Sequence, residues 1–169
     1  AGGLEALQQF FQHMPSNSGL CLVVVQHLSP DYKSLMADIL GKHTEMQVKQ
    51  AENEMAIKPD TVYLIPPKNN MTLKDGKLFL TEFVHGMLNH PIDVFFTSLA
   101  EEQKERAIAV VMSGTGSDGT SGVKAVKEHG GLVIIQNPET AKFDGMPRSA
   151  INTGLADFIL SPDEIVDEI

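Results

Sequence analysis

A single cysteine, Cys21, is all the thiol chemistry this 169-residue chain carries, so no internal disulfide can form, and a reducing cytoplasm is the expected setting. Cys21 begins an apolar strand and reads as a buried filler rather than a reactive thiol. Basic residues are few as well. Thirteen Lys and Arg against 22 Asp and Glu leave a formal charge of −9, and no Lys/Arg cluster supplies the footprint that nucleic acid or an anionic membrane surface needs. No apolar run approaches the roughly 18 to 20 residues of a membrane span. The longest runs, over 20–25 and 107–112, are strand-sized, and no basic-then-apolar signal peptide opens the chain. The ligand spacings His-x-x-x-His and Cys-x-x-Cys are lacking too, so neither a metal nor another cofactor is expected. With 42% hydrophobic residues and no repeat or low-complexity linker, the chain is expected to fold as one soluble domain over 1–169.

What is present is strand and helix in alternation. Leu4, Leu7, Phe10, Phe11 and Met14 recur at helical spacing behind Gly2-Gly3, which permit a tight entry. Residues 20–26 are an apolar strand, after which Ser29 and Pro30 read as the cap and first turn of a helix reaching about residue 43. Short strands are expected at 46–50 and 61–65, and those at 71–73 and 77–80 flank Lys74-Asp75-Gly76, where Asp-Gly signals a hairpin. A helix over 91–102, a strand over 107–112, a helix over 120–129, a strand over 132–136 and a closing helix from Pro162 complete the order. The pattern predicts an α/β fold, doubly wound, with a mainly parallel sheet, helices on both faces and an antiparallel hairpin. The helix behind Gly2-Gly3 has no strand to feed it, which places that strand before Ala1.

Ligands of open α/β folds bind at the carboxyl edge of the sheet, and two polar residues fall there. The 20–26 strand ends in Gln26-His27, and the 107–112 strand runs into Ser113-Gly114-Thr115-Gly116-Ser117-Asp118-Gly119. The second segment matches the Gly-x-Gly-x-x-Gly dinucleotide fingerprint and has its strand-before, helix-after context. Against that reading, Asp118 would repel a pyrophosphate, and the next strand ends in Gln136-Asn137 where a ribose-binding acid belongs. A plainer reading makes Asp118 the cap of the helix at Thr120. Of the other histidines, His13, His43 and His129 sit near helix ends, and His85 and His90 lie in a polar loop. His27 with Asp118 therefore reads as a pair in which a carboxylate orients an imidazole for a Ser or Cys nucleophile. Cys21 lies mid-strand, and Ser29, Ser113 and Ser117 are too close in sequence to His27 or Asp118 to face the imidazole. The favoured position is the residue just before Ala1, on a strand-to-helix turn where free amides can stabilise an oxyanion.

Ala1-Gly2-Gly3-Leu4-Glu5-Ala6-Leu7, Val25-Gln26-His27-Leu28-Ser29-Pro30, the loop from Ser113 to Gly119, Gln136-Asn137 and Phe143-Asp144-Gly145-Met146-Pro147-Arg148 together resemble the catalytic domain of the chemotaxis protein-glutamate methylesterase family, the CheB type. The resemblance covers nearly the whole chain in order. It implies a Ser-His-Asp triad whose serine, in a Gly-x-Ser-x-Gly-Gly turn, precedes Ala1, with His27 as base and Asp118 as orienting acid. It also implies that Ala1, Gly2, Thr115 and Gly116 line the site near the oxyanion. The implied reaction is hydrolysis of glutamate methyl esters on chemoreceptor helices, with methanol released. The wording of the 113–118 loop resembles versions fused to methyltransferase and sensory modules; other members carry a receiver domain. The alternative is a non-catalytic docking module that keeps the fold.

Overall fold

In the computed structural model, which describes residues 3–27, 35–84 and 86–169, helices and strands alternate as the two hydrophobic periods require. The first helix, α1 (Gly3–His13), turns Ala6, Leu7, Phe10 and Phe11 inward, and the two phenylalanine rings meet edge to face at 5.2 Å. Strands β1 (Cys21–Val24), β2 (Gln47–Gln50) and β4 (Thr61–Leu64) form a parallel sheet in the order β1-β4-β2. A second parallel sheet holds β7 (Ile108–Val111), β8 (Leu132–Gln136) and β9 (Phe158–Leu160), in the order β7-β8-β9. The remaining strands, β3 (Met55–Ala56), β5 (Asn69–Lys74) and β6 (Lys77–Glu82), are antiparallel in the order β3-β6-β5. The β5–β6 hairpin closes through Asp75 and Gly76, with φ of 50° and 69°. Two consecutive left-handed residues are what a tight primed turn demands, and Asp-Gly reaches that conformation at little cost.

Strand residues alternate between two apolar layers. Tyr63 and Ile65, with Val133 and Ile135, pack into one core cluster, while Val62, Leu64 and Ile134 pack into the other. The first layer contains α3 (Pro91–Gln103), α4 (Thr120–Glu128) and α5 (Gly145–Ile151). The second contains α1, α2 (Leu35–Leu40) and α6 (Pro162–Val166). Helices thus cover both faces, as the alternation predicts. The expected helix start at Ser29 and Pro30 lies outside the described residues. Among the described residues no helix is long and apolar enough to cross a membrane.

The sheet differs from a single continuous one. Among the described residues β1 and β7 are not paired with each other, and an apolar cavity of about 470 Å³ lies between them, lined by Leu22, Val24, Ile108 and Val110 with Phe10 and Phe96. Every residue of β1 is only half-buried although all four are apolar. Gly19 and Leu20 line the cavity at one end, as does Arg106. Gly3, Gln26 and Ser113 also line it, so β1 and β7 run along it in the same direction. Gly3 marks the carboxyl end, since a Cβ there would lie 3.2 Å from the Ser113 carbonyl oxygen and 3.8 Å from the Gln26 side chain.

Candidate active site

Both carboxyl-edge residues singled out by the sequence meet above that end of the cavity. Nε2 of His27 lies 2.8 Å from Oδ2 of Asp118, although 91 residues separate them in the chain. The two partners differ sharply in exposure: the His27 side chain is 49% exposed and Asp118 only 5%. With the acid buried against a half-open imidazole through Nε2, the other ring nitrogen, Nδ1, has no hydrogen-bond partner among the described residues.

Asp118 is held by more than His27. Its Oδ2 also accepts the backbone N–H of Ile92 at 3.1 Å, and its Oδ1 accepts that of Asp93 at 2.9 Å. Both amides belong to the first turn of α3, whose N-cap residue His90 makes no side-chain cap. The carboxylate therefore caps α3, reached across space, and not the α4 helix that follows it in sequence. This corrects the plain cap reading: α4 has Gly119 at its N-cap, at φ 95°, with no side-chain cap bond. The amide of Gly122 in the first turn of α4 instead donates to Asp93 Oδ1 at 2.8 Å. A carboxylate thus already occupies the place where a dinucleotide pyrophosphate would bind, which removes the glycine-fingerprint reading on geometric grounds.

The rest of the loop is positioned by backbone zippering. Ser113 is buried, its N–H donates to the Gln136 side chain at 2.8 Å, and its hydroxyl accepts from the Phe143 N–H at 3.0 Å. Gly114 exchanges backbone bonds of 2.9 Å with Phe143 and Met146, and a Cβ there would fall 2.4 Å from the Met146 sulfur. A side chain there would require the Met146 thioether to move. Thr115, Gly116 and Ser117 are exposed, with Gly116 at φ 85° and its carbonyl accepting from the Ser149 hydroxyl at 3.3 Å. Ala1, Gly2, Ser29 and His85 lie outside the described residues. Cys21 is half-buried, and burial pushes its thiol up to about 11, so it is a poor nucleophile.

His90 ends the loop before α3, as its sequence context predicts, and its Nδ1 comes within 3.9 Å of Asp118 Oδ1, too far for a hydrogen bond. The loop before it is also less polar than expected, for Val84, Met87 and Leu88 are exposed. Ligand atoms of His90, Asp93 and Asp118 lie within 4.8 Å of one another. The oxygens of Asp118 and Asp93 already accept amide hydrogens at two helix N-termini, a field that opposes a cation.

Residues 1–169 match the family described as CheB methylesterase. The chain belongs to the CheB methylesterase family. It is 35% identical over 173 residues to the protein-glutamate methylesterase/protein-glutamine glutaminase of Thermotoga maritima, covering 99% of this chain and 50% of that protein. An uncharacterized 104.1 kDa protein of Rhodobacter capsulatus is 52% identical over 130 residues, which are 77% of this chain and 14% of that protein. The chain thus spans about half the length of the first of these relatives and a small part of the second. Its fold superposes on the crystal structure of the Thermotoga maritima CheB methylesterase catalytic domain with a TM-score of 0.89 at 34% identity, covering 99% of this chain and 91% of that one. The α/β architecture with parallel sheets between helices is therefore the architecture of the CheB catalytic domain.

Electrostatics couple the two site groups in this CheB family member. The Asp118 hydrogen bond raises the His27 pKa above its ordinary value, with burial opposing and the charge of Asp118 assisting. Burial alone would raise Asp118, but the hydrogen bonds from His27 and from the amides of Asp93 and Ile92 hold it below the usual carboxylate range. A raised imidazole contributes stability that is full below its unfolded value and is lost as pH rises through the folded one. A depressed carboxylate contributes stability that is full above its unfolded value and is lost as pH falls through the folded one. The pair is expected to stabilise most between about pH 4 and 6.5. The stability lost in His27→Gln, measured by urea unfolding, should be larger at about pH 5.5 than at about pH 9. An equal loss at both would contradict the linkage.

Proposed function

We propose that this domain is a protein-glutamate methylesterase working through a Ser-His-Asp triad, with His27 as base, Asp118 as orienting acid and the serine on a strand preceding Ala1. The observation that carries the reading is the 2.8 Å His27–Asp118 bond at the carboxyl edge of the sheet, beside the apolar cavity between β1 and β7. A parallel strand in that cavity would pair with the facing edges of β1 and β7 and deliver its last residue next to Gly3. Relatives bearing the name protein-glutamate methylesterase support the substrate class.

The chemistry follows from which imidazole nitrogen is free. With Nε2 bonded to Asp118, Nδ1 takes the serine proton as the hydroxyl oxygen attacks the ester carbonyl carbon of a methylated glutamate. Amides around Ala1, Gly2 and the exposed turn at Thr115 and Gly116 stabilise the oxyanion. The tetrahedral intermediate collapses as the imidazolium hands its proton to the departing methoxide, which leaves as methanol. Water, deprotonated by the same nitrogen, then cleaves the glutamyl-serine ester and restores both carboxylate product and serine. Asp118 stays ionised throughout, held so by the two α3 amides, and stabilises the imidazolium. Chemoreceptor helices are the substrate in this reading. Receiver, methyltransferase or sensory modules on the same polypeptide are the expected regulatory partners.

The test is methanol release from methyl-esterified chemoreceptor. The full-length protein should release methanol, and a protein beginning at Ala1 should do so about 10³-fold more slowly or not at all, because triad members act as a unit. No release by the full-length protein would overturn the esterase reading in favour of a docking module.

A further inference from the structure

We propose that Asp93 is a positioning residue for the His27–Asp118 pair, acting through the N-terminus of α4. Two helix starts face each other here, and each is capped by a carboxylate from the other's neighbourhood. Asp118 precedes α4 but accepts the Ile92 and Asp93 amides of α3. Asp93 lies in the first turn of α3 but accepts the Gly122 amide of α4 at 2.8 Å. The crossed arrangement ties both ends of the short segment from Asp118 to Gly122 to α3. One tie is made by a side chain on that segment and the other by a side chain received from α3.

The packing leaves this segment little slack. A Cβ on Gly122 would fall 2.5 Å from the Phe96 Cβ, and one on Gly119 would fall 3.0 Å from the Ile92 side chain, so α4 sits against α3 at glycine distance. The Asp93 acceptor is the only side chain bonded to the Gly122 amide among the described residues. Without it, the first turn of α4 loses its polar anchor, and the Asp118 backbone four residues away is free to shift. Asp118 remains attracted to the α3 amides, so the bond that lengthens is the one to His27. An acid that served only the helix dipole would need its charge but no particular acceptor position. A positioning residue needs the acceptor and not the charge, and this difference separates the two roles.

The inference rests on the reading of His27 as base and Asp118 as its acid, so one of its two readouts requires no activity. In the full-length protein, the His27 titration is followed by NMR in the parent and in Asp93→Ala, Asp93→Glu and Asp93→Asn. Asparagine keeps the acceptor in place without the charge, and glutamate keeps the charge but displaces the acceptor by one methylene. The Ala and Glu variants should bring the His27 pKa down toward its ordinary value. They should also lower kcat for methanol release about tenfold or more while KM changes less than about twofold, the signature of a misplaced catalytic group. Asn should match the parent in kcat, and its His27 pKa should fall less than in Ala, by the loss of one nearby charge alone. If Ala does not fold, Glu against Asn makes the same comparison. Asn falling as far as Glu, or all variants keeping the parent's His27 titration, would overturn the proposal. A protein without esterase activity would still show the titration difference, so failure of the function and failure of the positioning role remain distinguishable.

Discussion

His27→Ala in the full-length protein is expected to lower methanol release by about 10³-fold or more, because the base serves both the attack and the departure of methoxide. The loss should fall on kcat. The imidazole is half-exposed, and among the described residues its one hydrogen bond is to Asp118. Its removal leaves Asp118 still held by the Ile92 and Asp93 amides, so the fold should survive with only the pH-dependent stability loss described above. Methanol release measured alongside thermal unfolding separates the two effects. A variant as active as the parent would remove His27 from the mechanism, and an unfolded one would show that the pair is structural.

Asp118→Asn is expected to cost about 10²- to 10⁴-fold in kcat, for a different reason. Asparagine can keep an acceptor for the Asp93 amide, but the position of Oδ2, which receives both His27 and the Ile92 amide, then carries a neutral N–H donor, so the imidazole loses its orienting partner. The direction of the pH shift is fixed by the same bond. The base works when neutral, so activity rises with pH through the His27 pKa. Asp118 is the largest cause raising that pKa. The acid limb of kcat/KM should therefore lie above the ordinary histidine value in the parent and move to lower pH in Asp118→Asn. A limb that stays in place would mean that another group titrates in the profile.

The parts of this account legible in the sequence are those governed by local periodicity. The 3.6-residue spacing of α1 declares its buried face. Asp75-Gly76 declares its turn, because few residue pairs accept two positive φ angles in succession. His27 and Asp118 were legible because each ends or follows an apolar strand, and strand ends converge at one edge. The capping of α3 by Asp118 was not legible, since the amides it accepts lie 25 and 26 residues upstream and nothing in the local sequence links them. Asp93 carried only the weak signal of an acid in a first helical turn, which many helices show for dipole reasons alone. His90 lies in a loop as its sequence context predicts, but its approach to Asp118 carried no local signal, because a loop's composition does not say which side chain it overhangs.

The central claim is that His27 and Asp118 activate a serine on the strand before Ala1. A fluorophosphonate probe tests it directly, since an activated serine oxygen displaces fluoride and keeps the phosphonyl group. With the full-length protein, peptide mass spectrometry should find one labelled residue, a serine immediately preceding Ala1, and the label should disappear in His27→Ala. Label on Ser113 or Ser117, or label at the expected serine that persists at the parent's rate in His27→Ala, would contradict the account.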